Sequence, residues 1–375
     1  MNPTNNNFIL GLFTGVGLSL GLFYISKLRS SKSTKTKPPC HITDQDVQNL
    51  LTMKEAIQIN KEAFASLYQG TANVPPRNIV SIQQHNGATL FKPCYIKSSS
   101  ALGLKVVSTR PNNSEQNLPT VPATITMFDE KTGLLDAILE ATYLTALRTA
   151  AGSGAASDIL AVPNAKTLII FGSGMQAKAH LDAMMVVRGT TIRTVHIVNR
   201  NQTRGEKLVT YASNTYDTIQ VFWHALDNIS AETIKTADII CTTTNTSIPL
   251  FDGNLMSENT HVNAIGSYTR TMQEIDSACV SRCIIYIDTV HALDSGDICI
   301  PFQKGLISKL KNGLVEIGYL LSQEKEGVAN LRNMKSISNK TCTLFKSVGT
   351  AVQDIATAAA VVKKVKELNT NYNKK

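Results

Sequence analysis

Apolar runs and helical-period stretches alternate through the central part of this chain. Residues 167–171 (TLIIF) form a short, largely β-branched run of the kind buried on both faces of a parallel sheet. Similar runs recur at 191–198, 219–223, 237–243, 261–265 and 284–287, with polar or helical segments between them. This pattern predicts an α/β fold with a doubly wound parallel sheet over about 150–335. Upstream, residues 79–109, 123–128 and 134–139 alternate apolar and polar side chains, which predicts an antiparallel or mixed sheet. Residues 44–67 carry helical spacing, with a capping box at Thr52-x-x-Glu55 between two helices. An alanine-rich helix is predicted over 144–160, and an amphipathic one over 343–368 with apolar residues at 344, 345, 348, 352, 355, 359 and 362.

The stretch FGSGMQAKAH follows the first central strand. Gly172-x-Gly174-x-x-Ala177 supplies a tight turn, close backbone approach for a pyrophosphate and a small residue where helix meets strand. The phosphates belong at the N-terminus of that helix, where N–H groups and the helix dipole favour negative charge. The second strand ends His196-Ile197-Val198-Asn199-Arg200. A carboxylate there would select NAD(H); Asn199 and Arg200 instead suit a 2′-phosphate, so NADPH is expected ahead of NADH. Within the alanine-rich helix, Arg148 is costly to bury without an anion from the fold or from a ligand.

Charge and cysteine content narrow the class. The net charge is +9, but Lys27, Arg29, Lys32, Lys35 and Lys37 account for five of the basic residues, and without them the remainder carries +4. The basic balance is therefore local, and no nucleic-acid surface is expected. Seven cysteines without a CxxC pair predict reduced thiols and no metal site. Residues 8–26 are nineteen in number and uncharged, and basic residues follow directly, so an uncleaved transmembrane helix is expected. It would anchor the protein by a single pass in the endoplasmic reticulum or mitochondrial outer membrane, with the catalytic part facing the cytosol.

LTALRTAAGSGAASDILA, FGSGMQAKAH, VNAIGSYTRTMQEID and LFKSVGTAVQDIATAAA, in this order, resemble the ornithine cyclodeaminase and mu-crystallin family over about residues 44–365. The resemblance implies a Rossmann-type unit inserted into a second α+β substrate and dimerisation domain, and a homodimer. The expected division is a membrane anchor at 1–26, a basic flexible linker at 27–40, a substrate domain at 41–150 completed by 336–375, and a dinucleotide-binding domain at 151–335. It also implies that Arg77, Lys105 and Arg148 contact a substrate carboxylate, with Lys105 able to move a proton to an imine nitrogen. Gly172, Gly174, Met175, Gln176, Asn199, Arg200, Asn201 and Thr149 are the expected cofactor contacts.

Tyr268 stands where the family's cyclodeaminases carry an aspartate that handles the substrate's second amine. A phenol, with a pKa near ~10, is a poor substitute for that carboxylate. The expected activity is therefore NADPH-dependent reduction of a small imine or keto amino-acid substrate, resembling a ketimine reductase. An NAD(P)-dependent amino-acid dehydrogenase or ornithine cyclodeaminase is the enzymatic alternative. A non-catalytic NADPH-binding scaffold is the alternative of another class.

Overall fold

Two sheets organise the chain, and the computed structural model describes them over residues 38–308, 314–323 and 340–372. The first is mixed. Its strands are β1 (Cys40–Ile42), β2 (Ala72–Asn73), β3 (Asn78–Ile82), β4 (Gly87–Ile96), β5 (Ala101–Thr109), β6 (Ala123–Phe128) and β7 (Leu135–Glu140). They run in the order β1-β7-β6-β5-β4-β2, with β3 also on β4; β1 is parallel to β7 and the other pairs are antiparallel. Alternate residues of β5, namely Ala101, Gly103, Lys105 and Val107, are buried on the face that receives the C-terminal helix (Ala351–Tyr372). Gly103 allows that approach, because a Cβ there would lie 2.8 Å from Ile355 Cδ1.

The second sheet is parallel throughout: β8 (Thr167–Phe171), β9 (Thr194–Asn199), β10 (Gln220–Ala225), β11 (Ile239–Thr242), β12 (His261–Ala264), β13 (Cys283–Ile287), β14 (Val315–Glu316) and β15 (Cys342–Lys346). Its order is β10-β9-β8-β11-β12-β15-β13-β14. The strand order reverses between β8 and β11, and their carboxyl ends open the crevice where such sheets bind ligands. β15 corrects one expectation. The apolar spacing predicts residues 343–346 as the start of the last helix, but the strand they form is buried between β12 and β13, and the helix begins only at Ala351.

The Arg148 helix (Thr142–Leu160) lies between the two sheets. From Leu144 to Ser157 every residue is buried, which its small side chains permit. A Cβ at Gly152 would stand 2.5 Å from Gln353 Nε2, and one at Gly154 would stand 2.8 Å from Ile57 Cδ1. The expected capping box is present, with Thr52 Oγ1 accepting from Glu55 N while Glu55 accepts from Thr52 N.

The membrane reading needs correction. Among the described residues no helix is long and apolar enough to cross a membrane. The transmembrane helix expected over 8–26, and with it the single-pass, cytosol-facing location, is not supported; that segment lies outside the described residues. In sequence terms, nineteen uncharged residues with glycines at 11, 15, 17 and 21 are near the lower limit for a span and only moderately hydrophobic. None of the seven cysteines is in a disulfide.

Candidate active site

The turn after β8 has the geometry its sequence requires. Gly172 sits at φ +115°, a region that disfavours any side chain, and a Cβ there would lie 2.5 Å from Thr243 Oγ1 at the end of β11. Its N–H donates to Val198 O at 2.9 Å, tying the turn to β9. Gly174 precedes the helix Met175–Arg188, no side chain caps that helix, and a Cβ at Gly174 would meet nothing within 4 Å. Uncapped first-turn N–H groups facing open space are what a pyrophosphate needs, so these residues fit a dinucleotide. Met175 is half-exposed at the helix start, and the buried Oε1 of Gln176 has no hydrogen-bond partner among the described residues.

At the end of β9, Asn199 Nδ2 donates to Ser173 Oγ at 2.7 Å and to Asn201 O at 3.0 Å, while Arg200 is exposed. Asn201 caps the following helix, its Oδ1 accepting from Arg204 N at 2.9 Å. Beside the turn is a cavity of about 410 Å³ bordered by Ser173, Gly174, Lys178, Arg204 and Lys207. Sequence reasoning missed these three cations. Their signal was a helical i, i+3 spacing of Arg204 and Lys207 just past Arg200, indistinguishable on its own from a solvated face.

A second cluster is built around a carboxylate. Asp354, on the first turn of the C-terminal helix, is fully buried. Lys105 Nζ is 2.8 Å from its Oδ1, Lys92 Nζ is 2.8 Å from its Oδ2, and Arg148 Nε is 2.7 Å from Oδ1, as an ion pair off the line of a hydrogen bond. Lys92 is 6% exposed, Lys105 0% and Arg148 6%. Burial alone would raise the Asp354 carboxyl, but Arg148, Lys105 and Lys92 hold it well below the usual carboxylate range. Lys105 is pushed well below the ordinary lysine value by burial, which the pull of Asp354 only partly offsets against the repulsion of Arg148 and Lys92. Arg77, half-buried just before β3, contributes to the field that lowers Lys92.

Backbone and neighbouring side chains hold this cluster at the carboxyl edge of the parallel sheet. Arg148 Nη1 donates to Gln353 Oε1 at 3.2 Å, and Gln353 Nε2 donates to Asn60 Oδ1 at 2.9 Å. Gly349 lies against the guanidinium, where a Cβ would come within 2.7 Å of Arg148 Nη1. The loop carrying Gly349 leaves β15 and is fixed by Asp288, whose Oδ2 accepts from Ser347 Oγ, Val348 N and Gly349 N at 2.8, 2.9 and 2.7 Å. Glu274 likewise ties the exits of β11 and β12 together, accepting from Thr242 Oγ1 at 2.7 Å and from Gly266 N at 2.6 Å. The Arg148 helix is joined to the glycine-turn helix through Ser153 Oγ and His180 Nε2, 2.9 Å apart.

The structure thus brings Lys105 and Arg148 together and adds Lys92 and Asp354, which sequence reasoning did not name. Arg77 stands at the margin of the cluster. Thr149 turns its hydroxyl back to Thr145 O at 2.6 Å, so that group is engaged within its own helix. Among the described residues no group of His, Cys, Asp and Glu side chains is arranged to hold a metal ion.

The model of the ornithine cyclodeaminase/mu-crystallin family matches residues 40–369. A Delta(1)-pyrroline-2-carboxylate reductase of Bacillus cereus is 33% identical over 84% of this chain and 94% of its own length. An uncharacterized cyclodeaminase of Dictyostelium discoideum is 32% identical over 88% of this chain and 98% of its own. Among solved structures, the Delta(1)-pyrroline-2-carboxylate reductase of Thermococcus litoralis, in complex with NADH and L-proline, superposes with a TM-score of 0.79 at 34% identity, covering 88% of this chain and 98% of the other. The chain belongs to the ornithine cyclodeaminase/mu-crystallin family.

Proposed function

We propose that this protein is an NAD(P)H-dependent oxidoreductase acting on C–N bonds, a ketimine reductase that prefers NADPH and reduces a small, carboxylate-bearing imine. One observation carries the reading: Lys105 and Arg148, buried at the carboxyl edge of the parallel sheet, converge with Lys92 on a single carboxylate and leave positive charge for an anionic substrate.

A bound nicotinamide dinucleotide supplies the hydride. Gly172, Gly174 and the first turn of the Met175–Arg188 helix would hold its pyrophosphate. Asn199 and Arg200 would meet a 2′-phosphate, with Arg204 and Lys207 lining the adjoining cavity. Arg148 clamps the substrate α-carboxylate and so fixes the C=N carbon for attack, with Arg77 at the margin of the cluster. Lys105, held in place by Asp354, passes a proton to the imine nitrogen, so that carbon gains the hydride and nitrogen the proton. The side chains around Lys105 and Arg148 exclude water, which strengthens both contacts.

The phenol of Tyr268 is pushed above its ordinary value by desolvation, which makes it a still poorer handler of a second amine and favours reduction over cyclodeamination. The reading includes a homodimer. Leu102, Leu104 and Val106 lie on the face of β5 away from the C-terminal helix, and Phe91 and Phe128 are their register partners; all five are only partly buried. A second copy would cover that apolar face.

The full-length protein, mixed with NADPH and Δ1-pyrroline-2-carboxylate or Δ1-piperideine-2-carboxylate, is expected to oxidise the cofactor, and more efficiently than NADH. No oxidation of either cofactor across a panel of carboxylated imines would overturn the reading.

A further inference from the structure

Lys92 exceeds the charge that a single substrate carboxylate calls for. It sits on β4 directly opposite Lys105 on β5, and side chains so paired share one face of the sheet. Like charges directly opposed destabilise a sheet, and here both ammonium groups are buried and reach the two oxygens of Asp354. With Arg148 the cluster sets three basic groups against one carboxylate, two more than Asp354 can pair one to one, and Arg77 adds its field at Lys92. A substrate α-carboxylate neutralises only one of the two. Buried charge is tolerated when it is paired, so the second calls for a second anion.

Resting on the reductase reading of this same site, we propose that the substrate is a dicarboxylic α-imino acid whose second carboxylate is received by Lys92 and Arg77. The donors are placed for this. An ammonium has three N–H donors; Lys92 gives one to Asp354 at 2.8 Å and a long one to Gly349 O at 3.4 Å, which leaves a third for a ligand. Arg77 is half-buried and Lys92 retains a small exposed area, whereas Lys105 has none, so the Lys92 side of the cluster is the outer one. The α-carboxylate would lie deep, at Arg148 and Lys105, and the second carboxylate outward. Lys92 is on this account a specificity-determining residue.

Two planar, unreactive probes decide the matter on the full-length protein by calorimetric titration: pyrrole-2-carboxylate and pyrrole-2,5-dicarboxylate. The dicarboxylate is expected to bind at least about tenfold more tightly, the equivalent of ~1.4 kcal/mol, and Lys92→Met is expected to bring the ratio close to one. Equal affinities in the wild type, or a ratio unchanged in Lys92→Met, would overturn the proposal. If Lys92→Met does not fold, Lys92→Gln serves for the same ratio, and the wild-type comparison stands by itself. Turnover separates this inference from the reading beneath it. Reduction of monocarboxylic ketimines in preference to dicarboxylic ones, as expected if one lysine sheds its proton, overturns the inference and leaves the reductase intact. Selective dicarboxylate binding without any NADPH oxidation upholds the charge assignment and overturns the reductase.

Discussion

Lys105 Nζ lies 2.8 Å from Asp354 Oδ1, an ion pair that joins a strand of the mixed sheet to the C-terminal helix across 249 residues of sequence. It makes the last helix part of the active site as well as a cover for the sheet. Because Arg148 and Lys92 share the same carboxylate, loss of Asp354 would leave three buried cations facing one another. Asp354→Asn is expected to destabilise the fold by about 3–5 kcal/mol, the usual cost of removing one partner from a buried pair. Asp136→Asn, which breaks a largely exposed pair with Lys366, should cost less than ~1 kcal/mol. Urea denaturation of the two variants checks both values, and similar losses would argue against a special role for Asp354.

Arg148→Ala removes the proposed carboxylate clamp but none of the dinucleotide contacts. The expected loss in kcat/KM is about 100- to 1000-fold, within the ~2–5 kcal/mol range for truncating one member of a buried charge pair. NADPH affinity, followed by nicotinamide fluorescence, should change less than about threefold, well under the ~1.4 kcal/mol that a tenfold change represents. A variant that lost NADPH binding to the same extent as activity would place Arg148 in the cofactor site instead.

The two glycines of the turn should respond differently to the same substitution. Gly172→Ala strains a backbone at φ +115° and drives a methyl group towards Thr243 Oγ1, so both stability and dinucleotide binding should fall. Gly174→Ala meets open space, so its melting temperature should be close to wild type while NADPH affinity drops about tenfold or more, because the methyl group occupies the approach of the pyrophosphate. Thermal melts alongside NADPH titrations separate the two outcomes.

Arg200→Ala is expected to weaken NADPH by about tenfold or more, since a charged contact to phosphate is worth ~1.5–3 kcal/mol, while NADH affinity barely changes. Parallel titration of the two cofactors against wild type and variant reads the preference directly. An equal loss for both would remove Arg200 from the 2′-phosphate site and return the cofactor preference to an open question between Arg204, Lys207 and no selection at all.

Acid should destabilise this protein well above the carboxylate range. His180 is fully buried, with Nδ1 2.8 Å from Gln176 O and Nε2 2.9 Å from Ser153 Oγ, and burial pushes its pKa down to about 4. In the unfolded chain a histidine titrates near ~6.5, so on acidification the unfolded state takes up the proton first. The stability it contributes is complete above that value and is lost as the pH falls towards 4. The Asp354 carboxyl, also depressed, acts with the same sign at lower pH, below its unfolded value of ~3.9. The wild type should lose roughly 3 kcal/mol between pH 7 and pH 4 through His180, and His180→Gln should flatten that slope in denaturant titrations.

The parts of this molecule that depend on local pattern were legible in its sequence. The TLIIF strand, the glycine turn, the Thr52 capping box and the Arg148 helix each follow from a few adjacent residues, and each occurs at the expected position. What was hidden depends on contacts between distant segments. Lys92 lies in an alternating strand, where a lysine ordinarily points to solvent; its register opposite Lys105 buries it. Asp354 falls between Val352 and Ile355 on a helix whose polar residues read as a solvated face, and only the cations of two other elements account for it. The apolar spacing of β15 predicts a helix because it runs on into Val352 and Ile355. Insertion between β12 and β13 overrides that local pattern.

In the proposed reaction hydride reaches the carboxylate-bearing carbon of a C=N bond. The most direct test uses stereospecifically 4-deuterated NADPH, prepared as each of the two epimers, with the full-length protein and a carboxylated ketimine, and mass spectrometry and NMR of the amino-acid product. One deuterium at the α-carbon is expected from one epimer and none from the other. Product without deuterium from either epimer, or release of ammonia in place of a reduced amine, would contradict it.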